Sequence, residues 1–247
     1  MKISIITITY NSAKTLPRAL ESVQSQKYDE IEHIIVDGAS TDGTKELIEA
    51  YVAKHSNVRW ISEPDEGIYN ALNKGIRMAT GDVIGFLHSD DTLYSPDSIG
   101  QIAVAFERSG ADVVYGDLEY RNGEKIVRRW KSNAFDMCSL KYGWMPPHPT
   151  LYCRRKVYEE AGLYDEWFRI SADYDMILRI FCAGYKSEYI PEVLVCMETG
   201  GASNKDAKAR LSKTQEDYIA LKKNQVGAGY LTVACKQLRK IRQFLRK

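Results

Sequence analysis

The alternation of strand and helix patterns along the first 120 residues is the feature that most constrains the fold. Runs of β-branched and apolar residues predict five strands, at 3–9, 31–36, 58–61, 83–87 and 112–116. Apolar residues at helical spacing predict the helices between them, at 12–26, 44–55, 68–79 and 99–108. Such alternation produces right-handed crossovers and a mostly parallel sheet flanked by helices, so the predicted fold class is α/β.

The second half of the chain has a less regular pattern. Asn122-Gly123 lies between two strand-like segments and is typical of the tight turn of a β-hairpin. Further patterns predict helices at 156–162, 173–183, 205–224 and 230–245, and short strands at 186–190 and 193–197. We therefore expect one domain over residues 1–204, in two parts that meet near residue 117, and a helical C-terminal extension over 205–247.

Composition excludes several classes of protein. Of the 247 residues 44% are hydrophobic and 27% are charged, as in ordinary globular proteins. No stretch approaches the roughly 18 apolar residues of a membrane-spanning helix, and the N-terminus is too short and too polar for a secretory signal. Five cysteines without a CxxC pair argue against a disulfide framework or a cysteine-rich zinc site. These features predict a protein of a reducing compartment, the cytoplasm.

The net charge of +1 is the sum of two opposed parts, because residues 205–247 carry +9 and residues 1–204 carry −8. Basic and apolar side chains are interleaved between 230 and 247: Leu231, Val233, Lys236, Leu238, Arg239, Lys240, Ile241, Arg242, Phe244, Leu245, Arg246 and Lys247. A basic amphipathic helix can lie on an anionic membrane, which predicts a peripheral position at the inner face of the membrane. The alternative is a helix packed on the body with a solvated basic face. The acidic body argues against a nucleic-acid partner.

Ligands of parallel α/β sheets bind beyond the carboxyl ends of the strands, so the loops there form the candidate site. Thr9, Tyr10 and Asn11 end the first strand, where Tyr10 could cover a base; the alternative is a capped turn. Asp37 ends the second strand, where its carboxylate could accept hydrogen bonds from a nucleobase. The stretch 37–45 is not a phosphate-binding P-loop because its threonine precedes its lysine, and no GxGxxG dinucleotide motif is present.

The segment after the third strand adds a further polar group. Asp65 lies in an acidic turn, and Asn70, Asn73 and Lys74 share one helical face. This combination predicts a polar pocket, against the alternative of a solvated helix face.

The pair Asp90 and Asp91 directly follows the fourth strand. Adjacent carboxylates repel each other and need a compensating cation. Hard oxygen ligands select Mg²⁺ or Mn²⁺, whose coordination is commonly completed by substrate phosphates. A helix cap would account for one of these acids but not for the pair.

Two later positions are candidates for chemistry on a second substrate. Asp173 opens an amphipathic helix and could act as a general base; alternatively, the helix dipole alone favours an acid there. His148 lies between prolines, and contact with an acceptor or a phosphate is the alternative to simple exposure.

The chain resembles glycosyltransferase family 2, which has the GT-A fold, in four segments: IITITYN, VDGASTDGT, GIYNALNKGIRMATGDVIGFLHSDD and SADYDMILRI. The resemblance covers roughly residues 1–200 and implies transfer of a sugar from a nucleotide diphosphate sugar, UDP-sugar favoured, to a hydroxyl acceptor with inversion. A glycan or lipid-linked glycan of cell-surface polysaccharide biosynthesis is the implied acceptor. Residues 1–117 would bind the nucleotide sugar and residues 118–204 the acceptor.

The resemblance also implies roles for individual residues. The donor would be held by Thr9, Tyr10, Asn11, Asp37, Asp65, Lys74 and Asp90. Asp91 would bind Mn²⁺ or Mg²⁺, and Asp173 would be the general base. Apart from the resemblance, we expect His148 and Asp175 to lie on the acceptor side.

Two positions depart from the family pattern, and two other functions remain open. His88 stands where members often carry Asp or Asn, and Ala172 replaces the glutamate before the catalytic aspartate, so a weakened nucleotide-sugar-binding module is one alternative. A nucleotidyltransferase is the other, although no basic glycine-rich loop follows the first strand. The pattern predicts no oligomeric state.

Overall fold

The structure is a computed structural model that describes residues 1–199 and 207–245. Strands β1 to β9 span Ile3–Thr9, Ile31–Asp37, Val58–Ser62, Val83–Phe86, Asp91–Leu93, Val113–Asn122, Lys125–Trp130, Tyr152–Arg154 and Ser187–Glu198. Helices α1 to α9 span Leu16–Gln24, Thr44–Val52, Ile68–Met78, Ser98–Ser109, Met137–Leu140, Arg155–Ala161, Ala172–Cys182, Ala207–Lys223 and Tyr230–Leu245. A 3-10 turn at His148–Thr150 precedes β8.

The strands form one sheet in the order β3-β2-β1-β4-β8-β6-β9-β5, with β7 paired to β6. β1 is parallel to both β2 and β4, and β2 is parallel to β3, as the strand–helix alternation predicts. β8 is antiparallel to β4 and to β6, whereas β6 and β9 are parallel. The sheet is therefore parallel through its first half and mixed through its second.

Helices cover both faces of the sheet, which explains why all seven residues of β1 are buried. Ile6 and Ile8 pack with apolar residues of α3 and α7, while Ile3 and Ile5 pack with those of α4 on the opposite face. Four residues from α8, α9 and the turn between them join the α3–α7 side: Ala220, Leu221, Val226 and Val233. The C-terminal extension thus shares the core of the body.

Three strands differ from the sequence prediction. β5 lies in a predicted loop, β8 has no predicted counterpart, and β9 is continuous where the pattern predicts two strands. β5 and β8 have three residues each and are stabilised by distant partners, such as Met197 opposite Asp91. Pro191 lies within β9, where the register with β6 is irregular and no ladder hydrogen bond from a proline is needed.

Helix α9 is docked on the body. The Thr232 hydroxyl donates to the Lys141 carbonyl over 2.9 Å, and a Cβ built at Gly143 would lie 2.7 Å from the Lys236 Cα. Lys236 is only 5% exposed, so this basic side chain turns inward. Helix α9 therefore packs on the body, as in the second of the two predicted arrangements. Its basic face is only partly solvated, because Lys236 is buried.

Part of the predicted basic tail lies outside the described residues. This holds for Arg246 and Lys247 and for the side chains of Ile241, Arg242, Phe244 and Leu245. Within 1–199 and 207–245, no helix is long and apolar enough to cross a bilayer.

Candidate functional site

The carboxyl ends of β1, β2 and β3 meet at one edge of the sheet. In the register Thr9 lies opposite Asp37, and Asp37 lies opposite Ser62. The buried Asp37 carboxylate accepts hydrogen bonds from the Ser40 amide at 3.1 Å and the Ser62 hydroxyl at 2.6 Å. Asp37 therefore fixes the loop after β2 and forms the floor of this edge.

The loop after β1 presents an aromatic side chain above this floor. Asn11 adopts a left-handed backbone (φ 49°), and its side-chain oxygen accepts a hydrogen bond from the Thr41 amide at 2.9 Å. Tyr10 is 66% exposed. A Cβ at Gly38 would lie 3.3 Å from the Tyr10 ring and 3.0 Å from an Asp65 carboxylate oxygen, so the structure brings these two side chains together across a glycine.

Asp65 and Lys74 form an ion pair of 2.7 Å at this edge. Lys74 also pairs with Glu63 at 2.9 Å. Burial lowers the pKa of Lys74, but hydrogen bonds to these two carboxylates and their negative charges raise it by more. The net pKa is raised, so the ammonium group stays charged. The sequence prediction that Asp65 and Lys74 act in one place agrees with this geometry.

The two asparagines expected in the polar pocket have another task. Asn73 is buried and donates to the Tyr164 carbonyl at 2.9 Å and to Glu166 at 2.6 Å. Asn70 donates to the second oxygen of Glu166 at 2.9 Å. These bonds attach α3 to the segment before α7, so both amides have partners within the protein.

Asp90 and Asp91 occupy different environments at the start of β5. Asp91 is 0% exposed, and neither of its carboxylate oxygens has a hydrogen-bond partner in the part of the chain that the structure describes. Burial, followed by the charges of Asp90 and Glu198, raises the pKa of Asp91 well above its ordinary value. Asp90 is partly exposed and borders a small cleft with Arg18 and Arg121.

The carboxylate oxygens of Asp90 and Asp91 are of a type that binds divalent cations. Both residues supply the hard oxygen atoms that Mg²⁺ and Mn²⁺ prefer, and a buried carboxylate without a partner is costly unless a cation compensates it. Across the two described ranges, no three His, Cys, Asp or Glu side chains converge to hold a metal ion. A cation here would need ligands from a substrate, as Mg²⁺ commonly takes them from phosphates.

Asp173 lies in the first turn of α7 and is partly exposed. Its carboxylate accepts a long hydrogen bond of 3.5 Å from the Tyr69 hydroxyl. Burial raises the pKa of Asp173, but electrostatic interactions with Lys213, His148 and Lys236 lower it more, so the net pKa is below the ordinary value. Asp173 is consequently ionised at neutral pH.

Two stacked histidines, His148 and His88, interact with the acids of this region. His148 is buried, forms a 2.7 Å hydrogen bond through Nε2 with the Tyr164 hydroxyl, and stacks on His88 with ring centroids 6.3 Å apart. Burial lowers the pKa of His148 to about 4 although Asp173 raises it, so this ring is neutral at pH 7. His88 in turn interacts electrostatically with both Asp90 and Asp173.

The N-terminal turn of α7 is held by two acids of α8 that the motif pattern does not indicate. Glu216 accepts hydrogen bonds from the amides of Ile170 and Ser171, at 2.8 and 2.9 Å. Asp217 accepts one from the Ser171 hydroxyl at 2.8 Å and pairs with Lys236 at 3.0 Å. The C-terminal extension therefore orients the turn that carries Asp173.

Asp175 is not brought into this group. It is buried and pairs with Arg179 at 3.0 Å and Lys223 at 3.1 Å, and it accepts a hydrogen bond from Asn224 at 2.9 Å. These partners engage both carboxylate oxygens in attaching α7 to the end of α8. The expectation that Asp175 faces an acceptor is therefore corrected to a structural role.

Comparison with known proteins identifies the family. The model of Glycosyl transferase family 2 matches residues 4–171, more than half of the chain. The chain belongs to glycosyltransferase family 2. A PGL/p-HBAD biosynthesis glycosyltransferase of Mycobacterium tuberculosis is 34% identical over 206 residues, which cover 81% of this chain and 78% of the relative. An uncharacterized glycosyltransferase of Nostoc is 32% identical over 231 residues, covering 87% and 70%.

Solved glycosyltransferases share the fold. S. aureus TarS 1–349, in complex with UDP-GlcNAc, superposes with a TM-score of 0.71 at 19% identity. That superposition covers 91% of this chain and 65% of the TarS chain, so this chain spans less than two thirds of that fragment's length. The mannosyltransferase PcManGT of Pyrobaculum calidifontis, in complex with GDP-Man and Mn²⁺, gives 0.69 at 19% identity, over 96% and 69% of the two chains. The predicted GT-A fold is confirmed.

The family-2 match ends before Asp173 and before α8 and α9. The site residues missed by sequence reasoning, Glu216, Asp217 and Lys213, all lie in this later part. In the sequence, the one indication of these residues is the +9 charge of the C-terminal extension. That charge predicts contact with an anionic membrane and does not predict contact with helix α7.

Proposed function

We propose that this glycosyltransferase moves a sugar from a nucleotide diphosphate sugar to a hydroxyl group of an acceptor, with inversion at the anomeric carbon. The observation that carries the proposal is the contrast between two acids: Asp91 is buried with two partnerless carboxylate oxygens, whereas Asp173 is partly exposed in the first turn of α7. An inverting displacement uses one group that offsets charge on the leaving group and another that takes the proton of the nucleophile, which attacks on the opposite face.

In this proposal the first three loops bind the nucleoside. The exposed Tyr10 ring covers the base, Asp37 accepts hydrogen bonds from its N–H groups, and Thr9 and Asn11 line the same edge. The Asp65–Lys74 pair borders the nucleotide and diphosphate, where the ammonium group offsets negative charge. We favour a UDP-sugar as the donor, a choice supported by the TarS complex with UDP-GlcNAc.

Asp91 is the proposed metal ligand, and Asp90 a neighbouring donor contact. The two partnerless oxygens of Asp91 support this assignment. A bound Mn²⁺ or Mg²⁺ would supply Lewis-acid stabilisation of the charge that develops on the departing nucleoside diphosphate. The PcManGT complex with GDP-Man and Mn²⁺ supports a divalent metal in this fold.

Asp173 is the proposed general base. Its carboxylate takes the proton of the acceptor hydroxyl as the oxygen attacks the anomeric carbon. The cations of α8 and α9 keep it ionised, and Glu216 and Asp217 hold its turn in place. His148 lies beside it as a neutral ring, on the acceptor side.

For the acceptor we propose a glycan or lipid-linked glycan in the assembly of cell-surface polysaccharide. Relatives with 34% identity are named as glycosyltransferases of PGL/p-HBAD biosynthesis, which supports a role in a biosynthetic pathway. We further propose peripheral binding to an anionic membrane through the outer side of α9. Leu231 and Leu238 lie two turns apart there and are 64% and 62% exposed, on an extension with a charge of +9.

A thermal-shift panel of UDP, GDP and their sugars, each with and without Mn²⁺, tests the proposed donor site. One nucleotide at about 100 times its Kd should stabilise the protein by roughly 2.7 kcal/mol, an increase in Tm of several degrees. Asp91→Asn should lose the Mn²⁺-dependent part, whereas Asp29→Asn, an exposed control, should keep it. The proposal fails if no nucleotide or nucleotide sugar raises the Tm.

A further inference from the structure

The segment between α6 and α7 carries an exposed arginine that contacts the donor side of the site. Arg169 donates a hydrogen bond of 3.5 Å to the Glu66 carbonyl, and Glu66 directly follows Asp65, the partner of Lys74. Arg169 also lies four residues before Asp173 along the chain. Its side chain therefore extends from the segment that leads to the proposed base and reaches the loop that carries the Asp65–Lys74 pair.

Contacts on both sides of Arg169 hold the backbone from which it extends. Before it, the Glu166 carboxylate accepts hydrogen bonds of 2.9 and 2.6 Å from two asparagine side chains of α3. After it, the Ile170 amide donates to Glu216 of α8 at 2.8 Å. Because the chain is attached at both positions, the guanidinium group can change its partner by rotation of its own side chain, without movement of the loop.

The guanidinium group of Arg169 has no anionic partner in the parts of the chain that the structure describes. Within residues 1–199 and 207–245 it forms no ion pair, and the Glu66 carbonyl is its one hydrogen-bond partner. A bond of 3.5 Å to a neutral carbonyl is long, whereas hydrogen bonds between arginine and phosphate are shorter and about twice as strong as neutral ones. Exchange of the carbonyl for a phosphate group is therefore favourable.

The charge balance at the donor edge calls for such a cation. Lys74 pairs with two carboxylates, Asp65 at 2.7 Å and Glu63 at 2.9 Å, so one positive charge faces two negative charges. The diphosphate of a nucleotide sugar brings further negative charge, which these carboxylates repel. In the proposed reaction this charge also increases as the sugar departs. An additional cation on this side of the site therefore favours both donor binding and departure of the nucleoside diphosphate.

We propose that the Arg169 guanidinium group binds the diphosphate of the nucleotide sugar. This inference rests on the proposed function, because it takes the Asp65–Lys74 edge to be the donor side. The planar guanidinium group presents two parallel N–H donors to phosphate oxygens, a geometry that the ammonium group of a lysine lacks. The diphosphate is then held from two parts of the chain, the loop that carries Asp91 and the segment before α7.

Calorimetric titration of the full chain with UDP and with GDP, each with Mn²⁺, tests the proposal. The wild type should bind at least one of these nucleotides. Arg169→Gln should weaken that binding about tenfold or more, the loss expected for a charge-assisted hydrogen bond. Arg169→Lys should lose less affinity than Arg169→Gln, because it keeps the positive charge and loses only the paired donors.

Two controls separate phosphate binding from a structural role of Arg169. Arg108→Gln removes a side chain that is 72% exposed on α4, on the opposite face of the sheet, and should bind the nucleotide as the wild type does. Without nucleotide, the Tm of Arg169→Gln should lie within about 2 °C of the wild-type value, because one long hydrogen bond at an exposed position contributes little to stability.

Three results would overturn the inference. They are binding of the nucleotide by Arg169→Gln as by the wild type, an equal loss of affinity in Arg108→Gln, and a larger fall in the Tm of nucleotide-free Arg169→Gln. The last result would assign Arg169 to attachment of the loop that contains Glu66. Absence of UDP and GDP binding by the wild type would contradict the proposed donor site itself, so failure of that proposal is distinguishable from failure of this inference.

Discussion

Individual carboxylates in this molecule differ in what surrounds them, and these differences suggest their tasks. Asp173 is partly exposed near cations, Asp91 is enclosed without a partner, and Asp175 is enclosed with three. These surroundings fit the proposed proton transfer at Asp173 and the proposed cation binding at Asp91, whereas Asp175 attaches one helix to another.

The lowered pKa of Asp173 predicts a pH profile. A group with a depressed pKa is ionised, and so active as a base, above its ordinary value of about 3.9, and it is protonated only below that value. We therefore expect kcat/KM to show no acidic limb from this group between pH 5 and 7. Lys213→Gln should shift the limb towards higher pH, because it removes the strongest cationic influence on Asp173. With saturating Mn²⁺, which keeps the proposed ligand Asp91 ionised, an acidic limb with a midpoint near pH 6 in the wild type would contradict the assignment.

Sequence reasoning found residues whose partners are close along the chain or at the same sheet edge. The meeting of Asp65 with Lys74, and of Thr9 with Asp37, follows from neighbouring loops of a parallel sheet. It did not predict the structural role of Asp175, because Lys223 is 48 residues away and nothing in the local pattern marks it as a partner.

At the level of elements, the central strands depend on glycines where other elements approach closely. Gly85 in β4 faces Tyr152 of β8, and a Cβ at Gly85 would lie 2.0 Å from the tyrosine ring. The backbone of Gly85 does not have a positive φ, so glycine is required there for space. β4 leads into the Asp90–Asp91 pair, so its pairing with β8 helps to position these two carboxylates.

Gly85→Ala is expected to destabilise the protein by about 1 to 3 kcal/mol, the usual cost of overpacking a core. Gly100→Ala in α4 is the matched control, since a Cβ there meets nothing within 4 Å and alanine favours a helix by roughly 0.5 to 1 kcal/mol. Urea unfolding of both variants measures the difference. Equal stability of the two variants would refute the close approach of β4 and β8.

The regular elements of the first half were predictable because each has its own apolar period. β5 and β8 were not, since three residues carry no period and their pairing partners lie far along the chain. The docking of α8 onto α7 was also unpredictable, because it depends on polar contacts such as Glu216 with Ile170.

For the whole molecule, the division of charge has two consequences. The acidic body contains the carboxylates of the proposed site, and the basic extension supplies cations to that site through Lys213 and Lys236. Because α9 contributes Val233 to the core, removing the helix would disturb the body. Tests of membrane binding therefore need substitutions on its outer side.

Flotation with phosphatidylglycerol-containing liposomes tests the proposed membrane contact. Leu231→Gln/Leu238→Gln should reduce the bound fraction severalfold, because each exposed leucine contributes about 1.5 kcal/mol or more when buried. Val104→Gln, an exposed apolar position on α4, is the control and should bind as the wild type does. Equal flotation of the double variant and the wild type would remove α9 from the proposed contact.

In the proposed reaction, Asp173 is the base of a sugar transfer from a nucleotide diphosphate sugar. The most direct measurement is release of nucleoside diphosphate from the donor that binds, with Mn²⁺, for wild type, Asp173→Asn and the exposed control Asp29→Asn. We expect Asp173→Asn to lower the rate about 10²- to 10⁴-fold while its calorimetric affinity for the donor stays within about twofold, and the control to match the wild type. Near-normal release by Asp173→Asn would contradict the claim.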